Sequence, residues 1–119
     1  MKIAFQIDAV PQARPRFYHG VAVDPPKSRQ FKAKLKSMAQ ECATHFFSGA
    51  VAVEINIWRN YKSLVNQRFG DIDNLAKGIL DAMKGVLWID DKQVVKLTVT
   101  KNLGAPLIEL SVEEFKNVD

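Results

Sequence analysis

The amino-acid sequence predicts an α+β fold: one domain over residues 1–119, with a mixed or antiparallel sheet of four to five strands and two main helices. Three observations predict it. Apolar and polar residues alternate in several separate stretches, the period of half-buried strands. Two other stretches repeat their apolar residues every three to four positions, the period of a helix lying on a core. Short turns join these stretches, with no linker, internal repeat or low-complexity segment to mark a domain boundary.

Ile3, Phe5 and Ile7 alternate with Lys2, Ala4, Gln6 and Asp8 and predict a first strand, which Pro11 and Pro15 stop. Phe17 to Asp24 reads as a short hairpin with Gly20 at its turn and a strand over Val21-Ala22-Val23. Asp24-Pro25-Pro26 is a helix entrance, since proline is tolerated in the first turn. From Lys27 to about Phe47, Phe31, Leu35, Met38, Cys42 and Phe46 form a helical stripe, with Arg29, Lys32 and Lys36 on another face and Ser48-Gly49 as the stop. Val51, Val53, Ile55 and Ile57 predict a strand from Ala50 to Arg59, with Trp58 on the opposite face. A loop from Asn60 to Gly70 follows; its Tyr61 and Phe69 either wedge against a nucleic-acid base or pack beneath the loop. Asn74 to Met83 carries Leu75, Ile79, Leu80 and Met83 near a 3.6 period, with Asp73 placed to cap the helix and Gly85 to end it. Val95, Leu97 and Val99, then Ile108, Leu110 and Val112, predict a C-terminal hairpin turning at residues 101–106, and a frayed tail from Glu114.

Composition narrows the function classes. No apolar run approaches 18 residues, so no membrane helix is expected. The N-terminus meets Asp8 too early for a signal peptide. Cys42 is alone, which excludes an internal disulfide and suits the reduced cytoplasm. With only His19 and His45 it makes no zinc pattern. The net charge is +4, unevenly spread: residues 1–47 hold eight Lys or Arg against three acids, and the remainder nine against ten. A basic N-terminal part beside an acidic centre suits a phosphate-bearing substrate.

The acidic centre runs from Gly70 to Asp91 and holds five aspartates, Asp71, Asp73, Asp81, Asp90 and Asp91, among apolar residues. Asp71 and Asp73 are spaced i, i+2, which puts both side chains on one side of an extended backbone. Two such carboxylates repel unless a proton or a cation lies between them. Mg²⁺ suits them, because it takes oxygen ligands and keeps waters that a phosphate can displace. Lys77 lies one turn beyond Asp73 and would place a positive charge near that phosphate. Asp90 and Asp91 converge on the pair if the following strand lies beside the segment carrying Asp71. Asp81 is two turns from Asp73, about 12 Å, too far to share an ion, and reads as structural. The same residues also suit solvated turns, helix caps and surface ion pairs.

The run Asp71-x-Asp73-Asn74-Leu75-x-Lys77-x-x-x-Asp81-Ala82-x-x-Gly85, then Trp88-x-Asp90-Asp91-x-Gln93-Val94, resembles the signature of the RusA family of Holliday junction resolvases. Pro11-Gln12-Ala13-Arg14-Pro15-Arg16 is similar to that family's Pro- and Arg-rich opening, and the length agrees. The resemblance implies a RusA-like fold and a small homodimeric endonuclease, often prophage-borne, that needs Mg²⁺ and nicks four-way DNA junctions symmetrically in recombination and repair. Asp71, Asp73 and Asp91 then hold one or two Mg²⁺ per site, with Mn²⁺ a substitute, and Lys77 joins them in catalysis. Asn74 contacts DNA or the carboxylates, and Arg14, Arg16, Lys27, Arg29 and Arg68 are the DNA-binding residues, together with Lys77. No membrane and no small-molecule cofactor is expected. The dimer surface is sought around Trp58 and the first helix. Phe69 and Gly70 depart from the pattern, since some members carry basic residues there and here Arg68 stands further back. The rival readings are a non-catalytic module that binds branched DNA, and a nuclease acting on forks or flaps.

Overall fold

A computed structural model describes residues 1–13 and 16–116, and the side chain of Arg16 is not described. The elements run β1 (Lys2–Phe5), β2 (Arg16–Tyr18), β3 (Val21–Val23), α1 (Pro26–Cys42), β4 (Val51–Arg59), α2 (Ile72–Met83), β5 (Val94–Leu103) and β6 (Leu107–Glu114), with a single 3-10 turn at Asp91–Gln93 before β5. This is a single α+β domain. Four strands form one mixed sheet in the order β1-β6-β4-β5, and β2 and β3 form a separate hairpin.

The alternation along β4 explains the core. Val51, Val53, Ile55 and Ile57 are all buried. Val53, Ile55 and Ile57 sit in register with Val112, Leu110 and Ile108 of β6. Ile3 and Phe5 of β1 continue the same layer against Leu110 and Ile108. The helices close this apolar face with Phe31, Leu35 and Ala39 of α1 and Leu75, Ile79, Ala82 and Met83 of α2. Each large side chain so buried contributes about 1.5–3 kcal/mol. Glu54, Asn56, Glu109 and Ser111 point to the other, polar face. No helix is long and apolar enough to cross a membrane among the described residues.

Three expectations need correction. β5 and β6 do not pair as a hairpin: β4 lies between them, parallel to β5 and antiparallel to β6. Alternation identifies a strand and one buried face but not its neighbours, and β4, the most completely buried strand, takes the centre. The turn after β5 crosses the end of β4, where Gly104 N–H donates to Arg59 O (3.2 Å). Next, α1 stops at Cys42, where Ala43 turns extended. Phe46 is exposed and Phe47 enters the core instead, its N–H bonded to Leu87 O (2.7 Å). Cys42 is therefore exposed rather than part of a buried stripe. Finally, α2 begins two residues early, at Ile72, which changes the acidic pair described next.

β4, the loop over residues 60–70, α2 and β5 form a β-α-β unit. The chain leaves the C-terminal end of β4, returns along α2, and re-enters the sheet at the N-terminal end of β5. That path sends the two acidic clusters to opposite ends of α2.

Candidate active site

The loop that delivers the first aspartates is held by two buried or half-buried cations. Arg59 ends β4 and is only 6% exposed. Its Nε donates to Asp8 Oδ1 (2.9 Å), and its Nη1 donates to the carbonyls of Arg68 (3.0 Å) and Phe69. The guanidinium also lies over the rings of Tyr61 and Phe69. From β5, Lys101 Nζ donates to Gly70 O (2.9 Å) and sits 4.6 Å from the Phe69 ring centre. Three consecutive carbonyls, at residues 68, 69 and 70, are thus fixed by positive side chains just before Asp71. Gly70 takes φ +99°, and a Cβ there would run into the Pro11 ring, so only glycine fits.

Asp71 and Asp73 are not two positions of one extended strand. Asp71 is the N-cap residue of α2 with extended backbone (φ −74°, ψ 142°), and its carbonyl accepts from Leu75 N–H (3.0 Å). Asp73 already lies in the first helical turn, so it is not the cap. The Asp71 side chain caps nothing. Asp73 Oδ1 accepts only from the adjacent Asn74 N–H (3.0 Å). Both aspartates are exposed, and among the described residues neither forms an ion pair. The positive end of the α2 dipole favours the two charges there. Lys77, also exposed, stands one turn further along. With Asn74, Gln12, Ala22 and Lys32 it lines an open cleft of about 420 Å³. Asn74 O accepts from Gln12 N–H (3.0 Å), and Ser28 Oγ accepts from Ala13 N–H (3.2 Å), which ties the segment before Arg14 to both helices.

The other end of α2 is built differently. Trp88 is fully buried, and its indole Nε1 donates to Asp91 Oδ1 (2.9 Å). Lys84 Nζ lies 3.5 Å from Asp91 Oδ2 and 4.0 Å from Asp81 Oδ1. Lys32 bridges Asp81 (3.7 Å) and Asp24 (2.6 Å). Asp90 caps the 3-10 turn, and Gln93 completes that capping box while its amide donates to the carbonyls of Phe47 and Gly49. Asp24 is held below its ordinary value: burial works to raise it, but hydrogen bonds from Lys32 and Gln12 and the charges of Lys32 and Arg29 prevail.

The helix itself measures the separation of the two clusters. Twelve residues of α2 span about 18 Å at 1.5 Å per residue. Asp71 and Asp73 lie at one end and Asp91 beside Lys84 at the other. Among the described residues no three His, Cys, Asp or Glu side chains gather as a metal cage. The chain therefore places Asp71, Asp73, Asn74 and Lys77 at the cap and in the first two turns of α2, and Asp91 beyond the other end of that helix.

Against known proteins, the family model described as Endodeoxyribonuclease RusA matches residues 6–113. The chain belongs to the RusA family. It is also similar to an uncharacterized protein, YqaN, of Bacillus subtilis (strain 168), with 29% identity in an alignment that covers 76% of this chain and 77% of that one.

Membership of an endodeoxyribonuclease family makes the protein a nuclease and its partner DNA. The matched region contains every acidic residue of the RusA motif and the basic positions around it. Lys27, Arg29 and Arg68 are exposed, the first two opening α1 and the third ending the loop before Phe69. Arg14, Pro15 and the side chain of Arg16 lie outside the described residues. Lys32 is turned inward onto Asp24 and Asp81, which removes it from the exposed basic face of α1. Phe69 is fully buried and Tyr61 half-buried against it, so the packing alternative holds for both. Sequence reading missed Arg59 and Lys101, the groups that fix the loop, and it took Trp88 only as a motif residue and not as the donor that holds Asp91. No local pattern marks an arginine at a strand end as buried. The Trp88-x-x-Asp91 spacing is the one signal that was available.

Two exposed carboxylates fit a divalent cation with oxygen ligands and several waters, for which one or two protein carboxylates suffice. Their donor chemistry suits Mg²⁺ or Mn²⁺ better than a softer metal.

Proposed function

We propose that this RusA-family protein is a Mg²⁺-dependent endonuclease that works as a homodimer and resolves four-way DNA junctions by paired, symmetric nicks. The observation that carries the reading is the N-terminal end of α2. There Asp71 and Asp73 stand exposed without a pairing cation among the described residues, one turn from Lys77, on a loop that Arg59 and Lys101 hold in place. The family match adds the reaction class.

Asp71 and Asp73 would hold the metal, which when bound supplies an activated water and charge neutralisation at the scissile phosphate. Lys77 presents its ammonium to the phosphate, where added negative charge develops in the transition state. Asn74 offers its amide to the sugar-phosphate backbone. Arg68, Lys27 and Arg29, with Arg14 and Arg16, hold the arms through phosphate contacts, which position the DNA without reading its sequence. The setting of such an enzyme is the cytoplasm, where it meets recombining or phage DNA.

A dimer accounts for Asp91. β5 is an edge strand of the sheet, and it leaves Val95, Leu97 and Leu103 exposed. Leu97 and Leu103 lie in register with Val53 and Arg59, on the face the helices cover elsewhere. Long apolar edges of this kind invite another chain. Pairing β5 with its own copy about a two-fold axis is antiparallel. It carries the N-terminal end of one β5, with the partner subunit's Asp91, toward the C-terminal end of the other, where Lys101 grips Gly70 beside Asp71. The two sites so formed match the two-fold symmetry of a four-way junction.

The test combines a junction assay with subunit mixing. Wild type should nick a synthetic four-way junction with Mg²⁺ and not with chelator, and should leave a linear duplex intact. Asp73→Asn and Asp91→Asn should each lose nicking by about a hundred- to a thousandfold, the order seen on removing a principal electrostatic group. Mixing the two variants should restore single nicks, because one site of each mixed dimer then carries both wild-type carboxylates. No recovery on mixing, with subunit exchange verified, would refute the shared site. Junction binding without nicking under any divalent metal would leave a binding module, and equal cutting of forks or flaps would leave a broader branched-DNA nuclease.

A further inference from the structure

The hairpin of β2 and β3 presents aromatic surface to solvent. Phe17 is 78% exposed and Tyr18 70%, with Val21 exposed beside them. The hairpin forms its own two-stranded sheet, separate from the main one, and every residue of β3 is exposed. Its tip is a two-residue turn at His19 and Gly20, both with positive φ (50° and 79°), a geometry that matches strand twist and keeps such hairpins tight. Exposed apolar surface of this concentration on a small element marks a contact site.

Register separates the two faces. Phe17 pairs with Ala22, and Tyr18 with Val21. Directly opposed residues share a face, and successive residues alternate. Ala22 lines the cleft that also holds Asn74 and Lys77, so Phe17 lies on the cleft side. Tyr18 lies on the other face and is partly used, its ring edge-on to His19 at 4.6 Å.

The surroundings select the chemistry of the partner. In the chain the hairpin is flanked by Arg14 and Arg16 before it and by the exposed Lys27 and Arg29 after it, with Asp24 the one acid among residues 14–29. An apolar protein surface would strip water from these cations without answering their charge. A nucleic acid answers both features, with phosphates for the cations and flat base faces for the aromatic ring. We infer that Phe17 is a stacking platform for a nucleobase freed at the branch point of the DNA, positioned beside the cleft of Asn74 and Lys77. The inference rests on the branched-DNA reading above and adds how the branch is distinguished from duplex: only there is an unstacked base available to the ring.

The experiment measures binding of a four-way junction and of a linear duplex by fluorescence anisotropy, with Ca²⁺ in place of Mg²⁺ to hold off nicking. Phe17→Ala should weaken junction binding by about 5- to 100-fold, the range that loss of one base–aromatic stack produces. Duplex binding should change by less than about twofold, since phosphate contacts carry it. Phe17→Trp should retain junction affinity, and Phe17→Leu, apolar without a π-face, should not. Unchanged junction affinity in Phe17→Ala, or equal loss on junction and duplex, would overturn the stacking role while leaving the branched-DNA reading intact. A halved mass of Phe17→Ala in light scattering would reassign the hairpin to a subunit contact. Wild type that binds duplex as tightly as junction would overturn both readings.

Discussion

The two ends of α2 carry the same residue type and treat it in opposite ways. At the C-terminal end every aspartate is answered: Asp81 by Lys32 and Lys84, Asp91 by Lys84 and the Trp88 indole, and Asp90 by the backbone it caps. At the N-terminal end no described cation pairs with Asp71 or Asp73: besides the helix dipole, Asp73 accepts only the neighbouring Asn74 N–H, while Arg59 is turned to Asp8 and two loop carbonyls and Lys101 to the Gly70 carbonyl. Two like charges left side by side raise the free energy of the folded state. A site that keeps them must recover that cost through what it binds. The paired end is thus a structural joint, and the unpaired end a place for a cation and a phosphate. The contrast also shows why a motif with five aspartates does not define one five-aspartate site.

The largest test removes what keeps the unpaired end in place. Arg59→Met should destabilise the protein by about 2–5 kcal/mol, since it leaves two loop carbonyls without their buried donor at about 1–3 kcal/mol each, while the exposed Asp8 returns to water. Chemical denaturation measures the loss, and hydrogen exchange should quicken first over residues 66–70. A cost under about 1 kcal/mol would mean that the loop holds its shape without Arg59, and that Lys101 alone sets the approach to Asp71.

A second test asks which end a metal answers. Mg²⁺ at ten times its Kd should stabilise the wild type by about 1.4 kcal/mol through mass action, read as a rise in Tm of a few degrees. Asp73→Asn should abolish that rise, and Asp81→Asn should keep it. A rise that survives Asp73→Asn and vanishes with Asp81→Asn would exchange the roles assigned to the two ends. Because the readout is stability, it does not depend on DNA or on turnover.

Some of this was legible in the sequence for clear physical reasons. The alternation over Val51 to Ile57 gave β4 almost to the residue, and the helical period with its acidic start gave α2, because a single buried face imposes a period that local composition must respect. The placing of Lys77 one turn beyond Asp73 was legible for the same reason, since helical spacing converts sequence distance into spatial distance over one turn, whereas the spacing of Asp71 and Asp73 suggests an extended backbone and the two lie instead at the cap and in the first turn of α2. Beyond one element that conversion fails. The pairing of β5 and β6 with β4 rather than with each other depends on which strand is buried most, a property of the whole sheet. The distance from Asp73 to Asp91 depends on the crossover, and Arg59 looks like any surface arginine until Asp8 and the loop fold around it. Phe46 and Phe47 are indistinguishable by type, and the early end of α1 decides between them.

The smallest effect concerns the joint that ties the paired end to the N-terminal hairpin. Lys32 links Asp24, just past β3, to Asp81 on α2, and Gln12 adds its amide to the Asp24 carboxylate (2.7 Å). Burial works to raise the Asp24 pKa, but these partners hold the carboxyl below its ordinary value. A carboxyl whose folded pKa is depressed contributes stability that is fully present above its unfolded pKa and is lost as pH falls through the folded one. Lys32→Met removes the largest of the lowering influences, so wild type should exceed it in stability at neutral pH. The gap should narrow as pH falls below about 4, where Asp24 takes up its proton in the unfolded chain. Urea midpoints of the two proteins from pH 7 down to pH 3 measure it. A gap that stays constant or widens toward acid would show that Lys32 acts through packing rather than charge, and the paired end of α2 would then owe its order to Trp88 and Lys84 instead.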